Sequence, residues 1–410
     1  MAELTTGRNN FYLVGKVKIN DNSLKGAEQK PGSSWLGVNT GFGLEVEEGN
    51  IIYPNIWGGR SLSKGVLYGM NKETRKSVQI PFEDKNNETI LDTLIPSNFR
   101  YAQIEKDEDG NLIERRFLDD IDFVEYLQDN LKHDMEVVVN GRATYSLGKA
   151  DEHGDMRIYK RYEISRVRLN ETHENEDGEQ VLNREHQASQ QSTYLIDESA
   201  LDKNWKKELE NDGKVRVNGL INYYFSQLPT ANGYEQFKEV ASIRQPFYII
   251  AKTDEEKDKM GKFIKAFLKV SGESVNVLDV QLRINEGFET GNVGDIELSD
   301  DAKELIAIGM ATEEELRSQL VVRGARTSEL IFTKVNLQTV GEGENAEHKA
   351  VLKDLYTFDD LVFPEVEADK LSDTVEDDDD FEEETTTTET TTKASDLTDD
   401  DNEIFGDLFG

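Results

Sequence analysis

Apolar and polar positions alternate along the first third of the chain. Residues 11–19 (FYLVGKVKI) carry apolar side chains at most odd positions, with Gly15 inside the run, which predicts a strand. Residues 34–47 (SWLGVNTGFGLEVE) and 51–57 (IIYPNIW) predict two more, joined at Glu48-Gly49-Asn50. A long excursion follows, with hairpins expected around Asn71-Lys72 and Asp109-Gly110. The pattern then changes period. Ile121, Phe123, Val124, Tyr126, Leu127 and Leu131 recur at mostly helical spacing, so 120–132 is expected to be a helix. Alternation returns in 135–146 (MEVVVNGRATYS) and 156–169 (MRIYKRYEISRVRL). Three strands, an excursion, a helix and two strands is the order of an OB-fold, a small five-stranded barrel. Gly15 and Gly141 suit strands that must coil sharply. Any small antiparallel barrel or sandwich would present a similar pattern.

Residues 171–192 (ETHENEDGEQVLNREHQASQQS) are polar and are expected to form a linker. A second unit, 193–364, has strands expected at 214–226, 235–242, 246–251 and 275–284, helices at 254–269 and 298–318, and a final hairpin of 319–325 with 328–337. Val217-Asn218-Gly219 followed by Tyr223 echoes Val139-Asn140-Gly141 followed by Tyr145, which suggests a repeat. The expected architecture is therefore mainly β with accessory helices. It comprises an OB-fold-like barrel over 1–170 with an insertion at about 60–118, the linker, a second OB-like α+β unit, and a tail over 365–410.

That tail changes the picture. It holds nineteen acidic and two basic residues and no long apolar run, so it is expected to be disordered. Its tip, after Asp399-Asp400-Asp401, carries Ile404, Phe405, Leu408 and Phe409. An acidic tether with an apolar tip suits partner binding; a merely solubilising tail does not need the aromatics. The net charge of −36 is uneven: residues 1–170 carry 23 basic and 27 acidic groups, a net of −4. A basic groove has room to exist there and not in the tail.

The 410 residues include no cysteine, so disulfides and thiolate metal sites are excluded. The start MAELTTGRNNFYLVGK lacks the pattern of a signal peptide, and no stretch approaches about 20 apolar residues, so a cytoplasmic protein with no membrane partner is expected. No phosphate-cradling GxxxxGK[ST] and no HExxH is present, and the five histidines show no metal-ligand spacing. Glu105-Lys106-Asp107-Glu108-Asp109-Gly110-Asn111 starts like a calcium loop, but Arg116 stands where the twelfth-position Glu belongs, so a hairpin tip is expected. No catalytic group, metal or cofactor is expected; the chain points to binding.

The candidate binding residues are aromatic and basic side chains interleaved on strands: Trp35, Phe42, Tyr53, Trp57, Arg60, Arg142, Arg157, Tyr159 and Arg161. Arg157, Tyr159 and Arg161 share one strand face by the period of two. Asn140, Arg142 and Thr144 share another, opposite Val137, Val139 and Ala143. Arginine neutralises phosphate and an aromatic ring stacks a base of any identity, which suits single-stranded nucleic acid. Core packing accounts for any one aromatic equally well. Lys64, Lys72, Arg75, Lys76, Arg115 and Arg116 in the excursion are either further contacts or ordinary solvated charge.

Together these features resemble the single-stranded-DNA-binding proteins of bacteria and tailed bacteriophages, which join OB-fold DNA binding to an acidic tail with an apolar tip. Here Gly410 follows Phe409, whereas the bacterial tail ends on its phenylalanine. The resemblance implies coating of unwound DNA in replication, recombination or repair. It also implies recruitment of replication or recombination proteins through the tail. A β-barrel virion or assembly protein, or a processivity factor, is the alternative.

Overall fold

The computed structural model describes residues 3–150, 156–175, 177–230, 233–287, 303, 306, 328–341 and 346–364. The expected tail and the strand expected at 319–325 lie outside the described residues, as does the helix expected at 298–318 apart from residues 303 and 306. Mainly antiparallel β structure with few helices is what the chain adopts.

The N-terminal strands fall where the alternation places them. They are β1 (Asn9–Lys18), β2 (Trp35–Gly41), β3 (Gly43–Glu47), β4 (Asn50–Ile52) and β5 (Asn55–Ser61). Both expected hairpins of the excursion form: Val66–Met70 pairs with Ser77–Pro81, and Arg100–Lys106 with Leu112–Phe117. The carboxylate of Asp107 closes the second turn by accepting from the Asn111 and Asp109 amides at 2.8 and 3.0 Å, so it serves a hairpin tip. Helix α1 (Asp120–Asn130) starts at Asp119, whose side chain accepts from the Ile121 amide. Its buried Ile121, Phe123, Val124 and Leu127 pack onto the sheet. Strands β6 (Glu136–Ala150) and β7 (Met156–Leu169) follow.

The ladders join these strands edge to edge. β1 pairs with β3, β2 with β5, β3 with β4, β7 with β6, and β6 with β1, all antiparallel. One parallel pair, Glu163↔Asn55, joins β7 to β5. Gly141 and Gly15 stand where strands approach closely. A Cβ at Gly141 would lie 1.9 Å from the Glu163 carbonyl oxygen, and one at Gly15 2.2 Å from that of Glu45.

The second half repeats this order with β8 (Gln187–Ile196), β9 (Lys214–Val217), β10 (Leu220–Thr230), β11 (Gly233–Arg244) and β12 (Phe247–Ile250). Helix α2 (Asp254–Phe263) comes next, held at its start by a Thr253–Glu256 capping box, and then β13 (Ser274–Asn285) and β14 (Glu329–Asn336). β8 pairs with β10 and β13, β9 with β12, β10 with β11, and β13 with β14. Here too one parallel pair, Tyr248↔Ile331, joins β12 to β14. The repeat is thus one of strand order and pairing. The short motif that suggested it is not equivalent in the two halves: Val139-Asn140-Gly141 lies within β6, Val217-Asn218-Gly219 at the β9–β10 break.

The expected linker is corrected. Residues 187–192 belong to β8, which pairs along β1 from Asn9↔Ser192 to Val14↔Gln187. Residues 172–174 and 180–182 form a small hairpin. The strand escapes a search for apolar runs because its inward positions include Gln190 and Ser192, both fully buried. The Gln190 amide nitrogen donates to the Ser192 hydroxyl at 2.8 Å and the Tyr145 hydroxyl at 3.3 Å, so its donor side is satisfied, while its carbonyl oxygen is buried with no hydrogen-bond partner among the described residues. The two halves also meet at the Asn50 side chain, which donates to the Ile284 carbonyl and accepts from the Glu286 amide, and at Arg283, 3.0 Å from Glu47. The Tyr145 and Tyr223 rings meet edge to face, 5.3 Å apart. One core runs through both halves.

Candidate nucleic-acid interface

The outward side of β2 and β5 carries the exposed aromatics. Register pairs Trp35 with Ser61, Gly37 with Gly59, and Asn39 with Trp57, so both tryptophans share one face with a glycine row between them. Trp35 and Trp57 are 44% and 48% exposed, which leaves surface on each indole free to take a planar group. The glycines make room for Trp35. A Cβ at Gly37 would sit 3.0 Å from Trp35 Nε1, and one at Gly59 3.0 Å from Trp35 Cζ2 and 2.8 Å from Gly37 Cα. Gly59 also has φ of +148°, a conformation L side chains rarely adopt.

Strand β7 continues this surface. Arg157, Tyr159 and Arg161 are all exposed and share its outward face, as the period of two requires. Tyr159 pairs with Ser146 and Arg161 with Thr144 on β6. The Tyr159 ring lies over Gly148, where a Cβ would approach its Cε2 to 2.5 Å. Two residues back from the parallel pair Glu163↔Asn55 stand Arg161 on β7 and Tyr53 ahead of β5, both exposed. Lys160, of opposite parity, turns inward, donates to the Tyr162 hydroxyl at 2.7 Å and is pushed below its ordinary pKa by burial.

Arg142 is half-buried on β6, paired with Glu163 in the ladder and with Asn10 of β1 on its other side. Burial lowers its guanidinium from the ordinary value, and Tyr223 and Glu163 oppose that shift.

Two expected binding residues are corrected. Phe42 is 1% exposed and packs in the core, so it has no face to offer a base. It continues the inward series Val38, Thr40, Phe42, Leu44 and Val46, seven residues from Trp35 and hence on the opposite side. Arg60, three residues from Trp57, likewise faces away. It bonds the buried Asp119 at the start of α1, lies 3.7 Å from Asp122, and stands over the Phe82 ring at 4.2 Å. It anchors the excursion and helix to the sheet.

The excursion cations divide. Arg115 pairs with Glu105 at 2.6 Å, and Arg116 with Glu88 and with Asp92 at 2.7 Å, so these serve the local structure. Lys64 reaches the Tyr68 hydroxyl at 3.4 Å. Lys72, Arg75 and Lys76 are exposed at the hairpin tip.

A group of residues that the sequence reading missed lies on the same outward surface, one and more strands beyond β7. Across β6, β1, β8 and β13 the register sets Asn140 beside Tyr12, Tyr12 beside Ser189, Asn10 beside Gln191, and Gln191 beside Gln281. A cleft of about 450 Å³ opens over them. The alternation in Gln187, Ser189 and Gln191 is the available signal, hidden because both faces of that strand are polar.

Among the described residues no group of three or more acidic or histidine side chains could hold a metal ion, and no helix is long and apolar enough to cross a membrane. No protein-family model matches this chain, and no curated protein sequence matches it significantly.

Proposed function

We propose that the protein binds single-stranded DNA without turnover, coating unwound strands in replication or recombination and recruiting partner proteins through its acidic tail. The observation that carries this reading is the outward face that joins exposed Trp35, Tyr53 and Trp57 to exposed Arg157, Tyr159 and Arg161. Rings there stack unpaired bases of any identity, at roughly 1–3 kcal/mol each, and arginines take the phosphates between them. A duplex keeps its bases stacked on each other, so it gains only the charge contribution. In this reading each half closes into an OB-type barrel; three strands, a helix and two strands in the same order, with a parallel pair between third and fifth strands, support it. Asp399, Asp400, Asp401, Ile404, Phe405, Leu408 and Phe409 would form the partner-binding tip. Spacing of i, i+1, i+4 and i+5 gathers the four apolar groups on one face of a helical turn. Gel-shift titration with single-stranded DNA, duplex DNA and RNA of one sequence tests the reading. Preference for the single strand is expected, and equal affinity for the duplex would overturn it.

A further inference from the structure

The cleft between the two halves is built for hydrogen bonding rather than for charge. Asn10, Asn140, Gln187 and Gln281 line it, each side chain presenting two N–H donors and a carbonyl acceptor. Among the described residues none of these four amides makes a side-chain hydrogen bond within the protein. Gln191 is different: its amide nitrogen donates to the Asp279 carboxylate at 2.9 and 3.1 Å, which leaves its carbonyl oxygen as an acceptor. Tyr12 is held by Arg184, whose guanidinium donates to the phenol oxygen at 2.6 Å. Among the described residues Arg142 is the only charged one in the lining, and it is half-buried. One partly desolvated cation is a poor cage for a phosphate. Several unused amides in a cleft of about 450 Å³ suit a neutral planar group with donors and acceptors on its edge.

The cleft is also one strand away from the aromatic and basic face. Arg161 of β7 pairs with Thr144 of β6, and Arg142, next on the same side of β6, borders both the face and the cleft. We propose that the cleft receives one nucleobase of the bound strand and reads its edge, with adenine the base that fits. This rests on the single-stranded DNA reading above. An Asn or Gln amide can bond the amino group and ring nitrogen of adenine together; guanine is matched by Arg or Lys, of which the lining holds only the half-buried Arg142 against four amides, and cytosine by a carboxylate, which the lining residues do not include. The protein would then bind all single strands through its rings and arginines and discriminate at one position through this cleft.

The test uses the full chain and three oligonucleotides of equal length: all thymidine, thymidine with adenine at every third position, and thymidine with cytosine at every third position. One bidentate contact corresponds to roughly 5- to 150-fold in affinity. The adenine-bearing strand should bind tighter by a factor in that range. The triple variant N140A/Q187A/Q281A should lose that preference while keeping the affinity for all-thymidine strands. The single variants N140A and Q281A, each expected to reduce the preference, serve if the triple variant does not fold. Equal binding of all three strands, or a preference that survives the substitutions, overturns the proposal and leaves the single-strand reading standing. If no strand binds at all, both fall.

Discussion

Replacing Trp57 by leucine should weaken single-stranded DNA binding about 5- to 150-fold, and replacing Trp35 should do the same. The range follows from roughly 1–3 kcal/mol for one stacked base at about 1.4 kcal/mol per tenfold. Leucine rather than alanine is the informative choice. About half of each indole is covered, so truncation to alanine would remove buried apolar area at about 25 cal/mol per Å² and confound affinity with stability. Leucine keeps most of that cover and removes the ring. Phenylalanine keeps a smaller ring, so W57F should lose less affinity than W57L. Trp35 stands four residues from the partner of Trp57, about 14 Å along the strand at ~3.4 Å per residue. The two sites are far enough apart for their effects to add within a few tenths of a kcal/mol. Intrinsic fluorescence supplies the assay. The chain has three tryptophans, and Trp205 is buried, so quenching on titration with oligothymidylate should come from the other two and vanish in the double variant. Unchanged affinity in W35L/W57L, with a native melting curve, would refute the stacking argument.

Removing Arg157 and Arg161 together should flatten the slope of log Kobs against log salt by about 1.4, since each phosphate contact on a single strand contributes about 0.7; an unchanged slope would show that they touch no phosphate. Fragment 1–170 should melt lower than fragment 1–196, or self-associate in size-exclusion chromatography, because cutting before β8 strips the partner from residues 9–14 of β1. Equal melting of the two monomeric fragments would contradict that. Deleting 365–410, whose net charge is −17, should tighten DNA binding most at low salt, and F405A/F409A should abolish capture of replication partners without changing DNA affinity. Affinity that ignores the deletion at low salt would end the competition argument.

Much of the first half was legible because its strands bury one face and its helix has its own period. Val137, Val139 and Ala143 point inward and Arg157, Tyr159 and Arg161 outward, as alternation requires. The same rule, carried through β2 and β5, separates Phe42 from Trp35 and Arg60 from Trp57; those two assignments failed because residue type outweighed parity. Strand β8 was illegible for a different reason. The Gln190 amide nitrogen is bonded to Ser192 and Tyr145, so a buried face looks polar in sequence. The joining of the two halves depends on β1 and β8 finding each other across the chain, a long-range pairing that no local pattern announces. The amide cleft exists only once that pairing is made.

The central claim is that an outward face of tryptophans, tyrosines and arginines holds unpaired DNA. Its most direct test is the ratio of affinities of the full chain for a single strand and for the duplex of the same sequence, measured at low and at high salt. The account predicts tighter binding of the single strand at both, with a ratio that widens as salt rises, because stacking survives screening while phosphate contacts do not. Equal affinity for the two, or a ratio that collapses to one at high salt, would contradict it.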